Sequence, residues 1–165
     1  MKKRLPLFVL FALLIFLAAC ANSAPPPPSS AQAEATDLPP LPTLDPDQIA
    51  LGETVYAQNC ASCHGANLEG EADWKTQNED DSFRAPPHTV DGHTWHHPDS
   101  LLLEAIELGG ARYDGVNVGG TSNMPAFNES LTNEEITAVL TYIKSTWPEE
   151  TRSVQWQVTV QTNNQ

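Results

Sequence analysis

The chain has 165 residues, 21 of them acidic and eight basic, for a net charge of −13 with its five histidines neutral. That length holds one ordinary domain. A surface this acidic repels nucleic acid and anionic headgroups, and it steers towards itself a partner carrying a basic docking patch, although solubility alone would also account for it.

The chain opens on MKKR and the apolar run LPLFVLFALLIFLAA, the charged and hydrophobic regions of an export signal. Leu5 to Ala19 is 15 residues, short of the ~20 that span a bilayer as a helix. The run ends in Leu17-Ala18-Ala19-Cys20, which resembles the lipobox of bacterial lipoproteins. The resemblance implies cleavage before Cys20 and acyl chains on it, the two-chain case that anchors a protein stably. Residues 1–19 are then a lipoprotein signal peptide, and the protein is tethered to the outer face of the cell membrane or its periplasmic side. A plain signal peptide with a chance cysteine, or an uncleaved anchor helix, is the alternative, and both also put the folded part outside the cytoplasm. A chain beginning at Cys20 keeps five basic residues against 21 acidic, a net of −16. Lipid on Cys20 would leave Cys60 and Cys63 as the only thiols of the folded region.

Residues 20–44 are rich in Pro, Ala and Ser and have little to fill a core; a proline-rich linker at ~3.1 Å per residue reaches on the order of 70 Å. The fold is expected to begin at Asp45, an acidic N-cap followed by Pro46, with Gln48 in capping-box register and Leu44 and Ile49 as a hydrophobic staple. A first helix then runs to about Asn59 with Ile49, Gly52, Val55 and Tyr56 inward. Gly52 is costly inside a helix and marks a close approach of another element.

Cys60-Ala61-Ser62-Cys63-His64 follows directly. Three chemistries use such a triplet. A structural zinc site wants four ligands, and the irregularly spaced His88, His93, His96 and His97 would have to complete it. A thiol–disulfide exchange site belongs at a helix start after a strand, which is missing here. Haem attachment fits best: the two sulfurs are about one helical turn apart and face the same way, and His64 can reach the iron.

Downstream, Pro98 to Gly109 reads as a second helix with Leu101, Leu102, Ala105, Ile106 and Leu108 as its apolar positions. Met124 lies in the loop GGTSNMPAFNES and is the only thioether left once Met1 departs with the signal, which makes it the candidate second axial ligand. The last clear helix starts at Thr132, paired with Glu135 as a capping box and with Leu131 stapled to Ile136, and it stops before Pro148. Ile136, Val139, Leu140, Ile143 and Trp147 form its inner face and Tyr142 its flank. Residues 65–96 and 110–130 are long loops, a sign of function or of something large to wrap around. The tail 148–165 alternates Val154, Trp156, Val158 and Val160, so a short strand-like segment is expected there, with an unstructured end.

Together these residues resemble the class I monohaem cytochrome c family, of the lipoprotein-anchored bacterial type, over roughly 45–147. The carrying features are Cys60 to Gly65 after a first helix, Asn67 to Gly70, Met124-Pro125-Ala126-Phe127, and a last helix containing Tyr142. The resemblance implies an all-α fold of three to five helices around one covalent haem c, with the first and last helices crossing where Gly52, Tyr56 and Tyr142 meet. It implies a single-electron carrier rather than an enzyme, His64/Met124 ligation, thioethers at Cys60 and Cys63, and membrane redox proteins as partners of a monomer. Pro86 or Pro87 offers a carbonyl to the His64 ring N–H, and Trp95, Arg84 and Arg112 are candidate haem-propionate contacts. Competing expectations are a haem enzyme or gas-binding module with an open sixth site, and a fixed electron-entry subunit of a larger oxidoreductase. His88, His93, His96 and His97 are read as residues of a solvated loop, with copper or zinc binding as the competing idea.

Overall fold

Asp45 ends the proline-rich stretch and starts the first helix. The computed structural model describes residues 38–164; the expected export signal, Cys20 and most of the expected linker lie outside the described residues. Helix α1 spans Pro46–Asn59, with the Asp45 carboxylate accepting from Asp47 N at 2.9 Å. The expected return bond from Gln48 is absent, its Oε1 being buried with no partner; Asp45 caps the helix alone. After Cys60 the chain makes one more helical turn, α2 (Ala61–His64). Helix α3 spans Asp99–Leu108, α4 Asn133–Ser145 and α5 Glu149–Asn163.

The core forms where α1 crosses α4. Gly52 is the reason they can approach, because a Cβ there would run into the Ala138 carbonyl and the Tyr142 side chain. Ala138 and Val139 are fully buried opposite it, and the Tyr56 and Tyr142 rings meet at 5.5 Å. Val55, Tyr56, Ile136, Leu140, Ile143 and Trp147 continue this core, joined by Leu102 and Ile106 of α3 and by Leu68 and Phe127 from the loops. The apolar period of α4 delivers this face as expected. Thr132 and Glu135 close the capping box that starts it.

The two long loops are tied to each other. Strand β1 (Ser82–Phe83) and strand β2 (Thr121–Ser122) pair in parallel, Ser82 against Thr121, and Gln77 Nε2 donates to Gly119 O at 2.7 Å. Single turns of 3₁₀ helix at Thr94–His96 and Gly109–Tyr113 flank α3.

The tail corrects the expectation of a strand. Residues Glu149–Asn163 are helical, entered through Pro148 with Glu149 and Glu150 in the first turn. Gln155 and Thr159, four apart, are its buried pair, beside Val160. Gln155 Nε2 donates to Asp99 Oδ1 (2.7 Å), His97 O (3.1 Å) and Thr159 Oγ1 (3.0 Å), and Thr159 Oγ1 accepts from Asp99 N. Thus α5 supplies the N-terminal cap that Pro98 cannot give α3. Lys144 of α4 closes the junction with both Asp99 oxygens, at 2.8 and 2.9 Å. Trp156 Nε1 donates to Pro39 O at 2.9 Å, so the end of the proline-rich stretch lies on α5. Among the described residues no helix is long and apolar enough to cross a membrane.

Candidate functional site

Cys60 is the last residue served by α1 and the first to serve α2: its N–H donates to Tyr56 O and its carbonyl accepts from Cys63 and His64. This continuous turn puts both thiols on one side. Both are free, Cys60 half-buried and Cys63 exposed. Burial, with Cys63 beside it, pushes the Cys60 thiol up to about 11, so it stays protonated at neutral pH.

His64 is buried. Its Nδ1 lies 2.9 Å from Pro86 O, which settles the choice between the two prolines. Burial pulls the imidazole below its ordinary value, with the Pro86 carbonyl and the Glu71 carboxylate pulling the other way. The ring is therefore neutral at pH 7, and a proton on Nδ1 facing Pro86 leaves Nε2 with its lone pair. The main chain around it is braced: Gly70 N donates to His64 O, and Tyr56 Oη donates to Gly65 O at 2.8 Å.

Met124 is half-buried against the same apolar core that Cys60 and Ala61 border. Its loop is fastened to the end of α3. Gly110 N donates to Met124 O at 2.8 Å, and Phe127 N to Ile106 O and Glu107 O. Gly109, at φ +53°, takes a left-handed conformation there, and a Cβ on it would strike the carbonyls of Met124 and Pro125. Gly109, the stop of α3, is thus also part of the seat of the Met124 loop.

The remaining expectations fare differently. Trp95 Nε1 donates to Val90 O at 3.3 Å, and the Arg112 guanidinium stacks 4.5 Å over the Tyr113 ring. Arg84 donates from Nη1 to Ala72 O while its Nε is buried with no partner. His93 and His96 are exposed, but His88 corrects the solvated-loop reading: its ring stacks on His64 with centroids 4.2 Å apart. Burial, with His64 and His93 adding to it, lowers the His88 imidazole to about 3. Among the described residues no group of three or more His, Cys, Asp or Glu is arranged to hold a metal ion.

A family model described as Cytochrome c matches residues 49–147, more than half of the chain. The chain belongs to the cytochrome c family. No curated protein and no solved structure matches it. Cytochromes c bind haem c covalently, and Cys60, Cys63 and His64 fit the Cys-x-x-Cys-His attachment pattern. The donor set agrees with that cofactor: two unpaired thiols one turn apart and a neutral imidazole with its second nitrogen already committed. The family is one of haem-based electron carriers, and the mostly helical fold with little strand is that of a small cytochrome c.

Proposed function

We propose that this cytochrome c is a single-electron carrier rather than an enzyme, with its haem held as thioethers by Cys60 and Cys63 and its iron ligated by His64 and Met124. The observation that carries the reading is the buried, neutral His64 imidazole, pinned through Nδ1 to Pro86 and lying directly behind two free thiols. When bound, the haem supplies a one-electron ferric/ferrous couple. The chain supplies the rest. The Pro86 carbonyl fixes the His64 tautomer and raises its basicity. The Met124 loop, seated on α3, offers a thioether that favours the ferrous state relative to a second imidazole. Leu68, Phe127, Ile106 and Leu102 give apolar surroundings that disfavour the more positively charged ferric state. Arg84 carries a buried donor without a partner and is the best-supported propionate contact, with Trp95 and Arg112 beside it in the same proposal.

The lipobox and proline-rich linker support a protein held outside the cytoplasm by lipid on Cys20. The net charge supports redox partners with a basic docking patch.

Met124→Ala tests the ligation. The expected result is loss of the weak far-red absorption band of ferric His/Met ligation and a fall in reduction potential. An unchanged spectrum would show that Met124 is not the ligand.

A further inference from the structure

Four histidines lie within ten residues of each other, and only one of them touches the site. The His88 ring lies over the His64 ring at 4.2 Å with the planes 25° apart, a face-to-face stack. His88 is itself immobilised from several sides. Its N–H donates to Leu68 O at 2.8 Å, its carbonyl accepts from Trp147 Nε1 at 2.6 Å, and its Nδ1 lies 2.9 Å from the Oγ1 of buried Thr94. The Tyr56 ring also meets it edge-on at 6.4 Å.

The Pro86 hydrogen bond holds His64 at one point in the ring plane. One such bond leaves the imidazole able to rock about the axis through it, and a flat surface against the ring face removes that freedom. We propose that His88 is a positioning residue for haem ligation: it fixes the plane of the His64 imidazole at the iron and keeps water off its outer face. This rests on the reading of His64 as the iron's ligand. It does not depend on Met124. His93, His96 and His97 have no part in it; His93 stacks on Trp74 and His96 packs on Trp95.

Two consequences follow for the mature holoprotein. The orientation of the imidazole plane sets the spread of the ferric g-values, so loosening the ring alters that spread. Water reaching the ring makes the site more polar and favours the ferric state, so the potential falls.

The test is low-temperature electron paramagnetic resonance and potentiometry on full-chain holoprotein of four kinds: unmodified, His88→Ala, His88→Phe and Thr94→Val. His88→Ala is expected to change the g-value spread and lower the potential with the far-red band retained. His88→Phe keeps a flat ring without nitrogens and is expected to return both readings most of the way. Thr94→Val, which unpins the ring without removing it, is expected to move both in the direction of His88→Ala. Should His88→Ala fail to mature, Thr94→Val decides: a shift supports the proposal and none overturns it. Unchanged g-values and potential in His88→Ala and Thr94→Val, with only a lower melting temperature, would overturn it. So would loss of the far-red band in His88→Ala, since the disturbance would then have reached the other ligand. An unmodified protein without that band sinks the Met124 assignment separately, and the g-value comparison still judges His88.

Discussion

Single residues decide whether this chain can close around its cofactor. Gly52 lies where α1 touches the Ala138 carbonyl and the Tyr142 side chain, so Gly52→Ala forces the helices apart. Overpacking of this kind costs about 1–3 kcal/mol. Urea titration of the holoprotein should show a lowered midpoint, and a midpoint equal to the unmodified protein's would mean that the crossing is looser than described. The same residue shows how much could be read in advance. A glycine within an otherwise periodic helix announces a close approach. That its neighbours are Tyr56 and Tyr142 was implied by the resemblance to cytochromes c, whose first and last helices cross, and the two rings do meet. Cys60, Cys63 and His64 were legible because covalent chemistry fixes their spacing. His88 was not, since four histidines in a polar stretch look alike until the fold presses one of them onto His64.

Helices α1, α3 and α4 announced themselves through caps and 3.6-residue periodicity, and their ends fall close to where Asp45, Pro98, Gly109 and Thr132 put them. Helix α5 did not. Its buried pair is Gln155 and Thr159, polar residues whose burial is compensated by hydrogen bonds to Asp99 and His97, while its alternating valines and Trp156 imitate a strand. A hydrophobicity pattern cannot report a face held by hydrogen bonds. Gln155→Ala strands the His97 carbonyl and removes one of the two donors to Asp99 Oδ1, which keeps Lys144, and leaving a buried group unpaired costs about 1–3 kcal/mol; a lowered melting temperature of the holoprotein checks it. The start of α4 offers a second test. The Glu135 carboxyl is held below its ordinary value by hydrogen bonds from the Thr132 backbone and side chain. A depressed carboxylate contributes stability above its unfolded value near 4.5, and that stability is lost as pH falls through the folded value. Glu135→Gln should therefore lose less stability between pH 6 and pH 3 than the unmodified protein, measured by urea midpoints. Equal losses would show that the Glu135 carboxylate does not stabilise the start of α4.

Over the whole molecule the acidic residues far outnumber the basic ones. A net of −13 over 165 residues gives a field that extends about one Debye length, ~10 Å at 0.1 M salt. Association with a basic redox protein should slow by at least tenfold as ionic strength rises from ~0.01 to ~0.2 M, whereas electrostatic steering is absent for an acidic one. Stopped-flow rates that ignore salt would detach the charge from partner choice. Trp156 holds Pro39 against α5, and α5 in turn caps α3, on whose other end the Met124 loop is seated. Helix α5 thus braces the element that carries the Met124 loop. If His64 and Met124 both ligate the iron, as proposed, no position is left for a small ligand. The most direct measurement is the optical spectrum of the reduced holoprotein before and after addition of carbon monoxide. His/Met ligation gives a sharp low-spin spectrum that the gas leaves unchanged; ready carbon monoxide binding, with a shifted main absorption band, would show an open sixth position instead.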